Sequence, residues 1–253
     1  MMSHWTRYAI PSLIMLSCVF FSGSNLYRKG IESYQRNDFN QAIKYFENFY
    51  KKSPSGDSTL FYLYNCYNKI GNVTSSIKIL EELTRRKNPN EQIYINLFNY
   101  YRQQKLYYKI NHLLMAAPLP IVQKIDRIYP LTQKLCAELF TGATTNTRID
   151  DPITYATKKG FLKHAPNGKF YSNDTLTLNY LILLFDSFLP PMQLNPTYSI
   201  KNIKPDSYLY LPYSRLVAQG IIEFDENIDP KKYASLSQAL RAINQLKEKG
   251  YIK

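Results

Sequence analysis

Residues 26–54 read LYRKGIESYQRNDFNQAIKYFENFYKKSP, and this stretch decides the fold. Two apolar-periodic segments flank the turn pair Asn37-Asp38, the first carrying Gly30 and the second Ala42. Helices that cross closely need small side chains at the crossing, and Gly30 with Ala42 meets that need. Phe46 fills the gap toward a following unit, and Pro54, which has no backbone donor, stops the second helix. The pattern then recurs. Ala42, Ser76 and Ile110 are spaced by 34 residues, and Phe46, Leu80 and Leu114 repeat that spacing four residues further on. A helical hairpin of this length cannot bury its apolar face alone and must stack on copies of itself. The fold expected is all-α.

Leu26, Gly30, Ala42, Phe46 and Pro54 together resemble the tetratricopeptide repeat. A second unit, Asp57 to Pro89, keeps Leu60, Leu63, Tyr67, Leu80 and Leu83 around a Gly71-Asn72 turn. A third, Glu91 to Pro118, keeps Tyr94, Leu97, Tyr101 and Leu114, but its turn near Gln103 to Leu106 lacks glycine. The array is thus placed at 25–118, with a capping helix and linker over 119–148 in which Pro130 kinks or splits the helix. The resemblance implies a short α-solenoid whose first helices line a concave groove. Mapped onto this chain, that face comprises Tyr27, Ile31 and Tyr34, then Phe61, Asn65, Asn68 and Lys69, then Ile95, Asn99 and Arg102. Amides and cations facing one cavity are similar to the carboxylate-gripping grooves of this family, which implies an acidic protein or peptide partner.

The remainder, 149–253, carries a longer repeat. Gly160 and Gly220 lie 60 residues apart, each followed by two apolar residues, and Thr175-Leu176-Thr177 is matched by Ser235-Leu236-Ser237 at the same separation. Thr177 and Ser237 are the expected N-caps of the helices that follow. The order of helix, glycine stop, extended loop and capped helix resembles the S-layer homology module, in two copies. That family places Arg and Glu after the capping Thr to engage cell-wall polymer. Here Leu178-Asn179-Tyr180 and Gln238-Ala239-Leu240 stand in those places, so the resemblance supports a small helical domain better than glycan binding.

Residues 1–24 read as an export signal: His4 and Arg7 without an acid, an apolar stretch from Ala9 to Phe21, then Ser22-Gly23-Ser24. The apolar core falls short of the roughly 20 residues that span a bilayer. Leu16-Ser17-Cys18 resembles a loose lipoprotein box, so two alternatives stand: a lipid tether at Cys18, or cleavage after Ser24. Cys66 and Cys136 are expected to be buried free thiols. No Gly-rich phosphate loop, metal-ligand spacing or nucleophile elbow occurs, and the acidic pairs Asp150-Asp151 and Asp225-Glu226 sit where helix capping explains them. The reading is therefore non-enzymatic, without cofactor or metal. The net charge of +13 favours acidic partners. The expected role is an adaptor in the periplasm or cell envelope, with a wall-polymer binder as the alternative. Nucleic-acid binding is a third reading and requires that residues 1–24 are not an export signal.

Overall fold

The computed structural model describes residues 25–54, 56–86, 90–163, 169–192, 194 and 198–253. The export segment with Cys18, the repeat boundary at Pro89 and the Pro166-Asn167-Gly168 turn lie outside the described residues. The fold is all-α, and extended backbone among the described residues amounts to isolated bridges. Two compact units divide between Ile93 and Tyr94.

The first unit holds α1 (described over 25–35), α2 (Phe39–Lys52), α3 (Asp57–Lys69) and α4 (Val73–Arg85). Helix α2 packs on α3, and α3 on α4, in a solenoid-like way compatible with tetratricopeptide-like repeats. The expected close crossing is present: a Cβ added at Gly30 would lie 2.6 Å from the Phe46 ring. Phe46 in turn stacks on Tyr62 of α3, with centroids 5.0 Å apart, which joins one hairpin to the next. Arg86 makes a second joint. Its guanidinium donates to Tyr50 Oη and the Pro54 carbonyl at 2.5 and 2.6 Å, and reaches Glu82 and Asp57 at 3.1 and 3.3 Å.

The repeat shows most plainly in its turns. Asn37, Gly71 and Lys105 fall on the 34-residue period and all adopt left-handed backbone, with φ of +60°, +73° and +57°. Each turn closes with the same two bonds: the Asn37, Gly71 and Lys105 amides donate to Tyr34, Asn68 and Arg102, and the next amides donate to Ser33, Tyr67 and Tyr101. Glycine takes this conformation without penalty and asparagine tolerates it, whereas a lysine costs about 1–2 kcal/mol. The third turn, which the sequence leaves without glycine, therefore keeps the geometry against its own residue preference. Asp38 and Asn72 then cap α2 and α4, accepting from the Gln41 and Ser75 amides, both at 3.1 Å.

The second unit begins within α5 (Glu91–Gln103) and continues through α6 (Tyr107–Ala116), α7 (Leu119–Ile128), α8 (Gln133–Thr144), α9 (Pro152–Lys158), α10 (Leu178–Asp186), α11 (Tyr210–Ala218) and α12 (Leu236–Glu248). Pro130 splits the 121–140 segment into α7 and α8. Helix α8 runs through the core, packing on α6, α9 and α12. Its approach to α6 is so close that a Cβ on Gly142 would lie 2.2 Å from the Tyr107 carbonyl oxygen.

Gly160 and Gly220 end α9 and α11 in left-handed backbone, as the 60-residue repeat requires, and Phe161, Leu162 and Ile221 are buried behind them. One cap differs from expectation. Ser235, not Ser237, caps α12: it accepts from the Gln238 amide, and the Gln238 side chain accepts from the Ser235 amide in return. A reciprocal pair satisfies two free donors where Ser237, already inside the helix, satisfies none. Thr177 occupies the N-cap of α10, but its hydroxyl donates to the Asn179 side chain instead of accepting from a backbone amide.

A third helix start joins these two. Thr132 caps α8, and antiparallel bridges link Thr132 to Thr175 and Thr177 to Tyr233. The Leu236 amide at the head of α12 donates to Asp126 of α7 at 2.7 Å. The starts of α8, α10 and α12 are thereby tied in sequence, over the buried Leu131, Leu176 and Ala234.

Candidate functional site

Helices α1 and α3 are the first helices of the two hairpins in the first unit, and they carry most of the expected groove. Two of its aromatics have structural work. Tyr27 packs against Phe46, Phe49 and Tyr62, and Tyr34 against Phe39 and Tyr62, with centroids 5.1–6.2 Å apart. Such edge and tilted contacts each stabilise by about 0.5–1.5 kcal/mol beyond burial. Both rings are half-buried cement between hairpins. Ile31, Phe61 and Asn65 are half-buried, while Asn68 and Lys69 are exposed at the end of α3. What this unit offers a ligand is a narrow set: one amide half-sunk among apolar side chains, then an exposed amide and an ammonium one turn later.

Asn99 and Arg102 belong to the second unit, and both are engaged there. Arg102 Nε and Nη2 donate to the two oxygens of Glu138 at 2.7 and 3.1 Å. Glu138 is 3% exposed in the middle of α8, and the guanidinium also lies over the Phe98 and Tyr129 rings. Asn99 Oδ1 accepts from the Tyr129 hydroxyl at 2.6 Å. Ile95 is buried. The cation expected to grip a partner's carboxylate thus grips one of the chain's own. The fork geometry that suits Arg to carboxylates is the same in both readings. Nothing near Arg102 in sequence announces a partner 36 residues downstream.

A cavity of about 490 Å³ opens beside this pair, lined among others by Lys105, Lys134, Asp150 and Asp151. Its two aspartates are satisfied internally. Lys105 and Arg148 both donate to Asp150 at 3.1 Å, and these bonds, Lys105 first, hold its carboxyl below the usual range. Asp151 caps α9 through the Ile153 and Thr154 amides, the capping role its sequence position implies. Burial, and then the Glu138 charge, push the Tyr107 phenol up to about 12.

Cys66 and Cys136 are free and buried, as expected, and burial alone pushes their thiols up to about 11 and about 12. Neither carries thiolate near neutral pH, so both are inert hydrophobes. Among the described residues no group of three His, Cys, Asp or Glu side chains is placed to hold a metal ion. No described helix is long and apolar enough to cross a membrane.

A larger trough of about 880 Å³ lies within the second unit, between α10, α12 and the 221–233 loop. Its signal in the sequence is the stretch EFDENID, residues 223–229, with four acids in a chain whose cations otherwise prevail. Capping explains only part of it. Asp225 and Asp229 each accept a backbone amide of their own turn, from Asn227 and Lys231. Glu226 pairs with Lys201 at 2.9 Å on the far side of the loop. Compared with known proteins, the chain matches no family model and no curated sequence.

Proposed function

We propose that this chain is a non-enzymatic, exported adaptor of a bacterial envelope assembly, built on tetratricopeptide-like hairpins that hold a protein or peptide partner. The observation that carries this reading is the left-handed turn repeated at Asn37, Gly71 and Lys105 with identical closing bonds. Repetition of a turn at constant spacing is the mark of a stacked array, and stacked arrays work as binding surfaces. The export-signal pattern of residues 1–24 supports export to the envelope, with either a lipid tether at Cys18 or cleavage after Ser24. The binding face rests on Ile31, Phe61, Asn65, Asn68 and Lys69, since Tyr27 and Tyr34 cement the hairpins and Asn99 and Arg102 are engaged in the second unit. An amide and an ammonium on this face suit an acidic segment.

The test is crosslinking in intact cells, followed by mass spectrometry, with Asn65→Ala/Lys69→Ala beside the wild type. Recovery of the bound protein should fall severalfold while the helical signal and melting of the double variant stay unchanged. Equal recovery from both refutes the assignment of this face.

One observation favours the wall-polymer reading: the starts of three helices, at Thr132, Thr177 and Ser235, are tied in sequence, one more than the two repeat units read in the sequence. Against it stands charge. The trough between α10 and α12 is acidic, and an anionic polymer is repelled there. Sedimentation with purified peptidoglycan sacculi separates the two readings, because the adaptor stays in the supernatant.

A further inference from the structure

We infer that the trough between α10, α12 and the 221–233 loop is a second binding site, one that takes a basic peptide segment carrying an apolar side chain between its cations. The floor is apolar, formed by Leu181, Ile182, Phe185 and Ile221. The rim carries four carboxylates, Glu223, Asp225, Asp229 and Glu248, against two cations, Lys232 and Arg241. The chain as a whole has 32 cations and 19 acids, so the sign of the charge on this rim is opposite to that of the whole. At physiological ionic strength such charges act over about 8 Å, so the rim and not the distant surface sets the local field. The volume, about 880 Å³, is of the size that encloses a ligand.

The rim is also built in advance. Tyr213, fully buried in α11, accepts from the Asp225 amide at 2.7 Å and donates to the Asp225 carbonyl at 3.1 Å, which nails the loop to the core. Lys201 holds its outer side through Glu226 and Asn227, both at 2.9 Å. A loop already in place costs little to order when a ligand arrives. Glu223 stands 90% exposed with only a 3.4 Å contact to Arg241, and Tyr233 is 72% exposed on the same rim. An exposed phenol, a rim of carboxylates whose bonds are to amides of their own turns, to Gln245 and, at 3.4 Å, to Arg241, and an apolar floor match a segment whose Lys or Arg side chains straddle a Leu-like anchor. This site is independent of the hairpin face and has the opposite charge preference.

The test uses the purified protein and two fluorescein-labelled octapeptides, one alternating Lys and Leu, the other alternating Glu and Leu, read by anisotropy at low and high salt. The cationic peptide is repelled by the rest of this basic chain, so its binding reports on the trough. It should bind, weaken as salt rises, and lose about fivefold in affinity to Glu223→Gln/Glu248→Gln. Both substituted residues are exposed, and an unchanged melting curve verifies the fold. Two results each overturn the inference: no binding of the cationic peptide, or undiminished binding of it to the double variant; the anionic peptide, drawn to the basic remainder of the chain, should bind the double variant no less well than the wild type. A labelled anionic oligosaccharide that binds the wild type and is lost in Tyr233→Ser overturns it too, in favour of a glycan.

Discussion

Gly142→Ala should weaken the second unit, although in most mid-helix positions the same change strengthens a protein. Glycine inside a helix costs roughly 0.5–1 kcal/mol relative to alanine, so an open site gains by that amount. Here the new Cβ meets Tyr107 O at 2.2 Å, Tyr107 C at 2.6 Å and Tyr108 N at 3.1 Å, all of them backbone. No rotamer relieves that contact, since neither partner is a side chain. Ordinary carbon–oxygen separations exceed 3 Å, so α8 must back away from α6 by about 1 Å. The shift disturbs buried Cys136, Leu139 and Ile110, and it acts one helical turn from Glu138, whose bond to Arg102 is short. Overpacking of this kind costs about 1–3 kcal/mol, and the backbone clash places this case at the upper end. After the helix-propensity gain, a net loss of about 2 kcal/mol remains, a fall of about 4–8 °C in melting temperature for a unit of this size. Far-UV circular dichroism on heating, with hydrogen exchange of α6 and α8 amides, measures both the size and the place. A neutral or stabilising Gly142→Ala would refute the close approach of the two helices and the packing order of the second unit with it.

Two further outcomes follow from single side chains. Arg102→Ala should cost about 3–5 kcal/mol by leaving Glu138 charged and alone in the core, whereas Arg102→Met with Glu138→Leu should recover most of that loss in denaturant titration. Burial raises the Asp126 carboxyl above its ordinary 3.8, the Leu236 amide opposing, so the folded state holds this proton to higher pH than the unfolded chain does. Stability from this group is therefore full below that ordinary value and declines as pH rises through the raised one; Asp126→Asn, which keeps the acceptor for Leu236, should lose that decline while unfolding otherwise alike.

What could be read in advance was local. A 34-residue period fixes where helices turn, and Asn37-Asp38, Gly71-Asn72 and Pro130 act within a few residues of themselves. Gly160 and Gly220 end their helices for the same reason. The α12 cap lies two residues before the expected Ser237, because Ser235 and Ser237 both qualify and only Gln238, answering Ser235 across one turn, decides between them. The engagement of Arg102 at the far end of the expected groove was not legible for a different reason. Arg102 is defined by a carboxylate in α8 and two aromatic rings, and pairing at that separation leaves no trace in spacing or composition. Gly142 is likewise silent, because its meaning lies in the backbone of another helix. The third tied start, Leu131-Thr132, repeats the Leu176-Thr177 pair in type, but without a 60-residue interval it gives no periodic signal.

The fate of α5 bears on how binding chemistry is distributed. Its turn at Lys105 keeps the hairpin geometry at the cost of left-handed lysine, so the repeat survives as architecture. Its inward side chains are engaged within the second unit: Phe98, Asn99 and Arg102 pack on Tyr129 and Glu138. A hairpin that turns its polar residues inward buys rigidity for the second unit. On the proposed reading an acidic partner is left to Asn65, Asn68 and Lys69 of the first unit, while the second unit presents an acidic trough pinned by Tyr213. The two chemistries share no residue. Substitution at Asn65 and Lys69 should consequently leave the cationic octapeptide binding as in the wild type, and Glu223→Gln/Glu248→Gln should leave the crosslinked partner in place. A protein whose two surfaces fail independently is an adaptor by construction; coupled failure would mean that the trough and the hairpin face serve a single ligand.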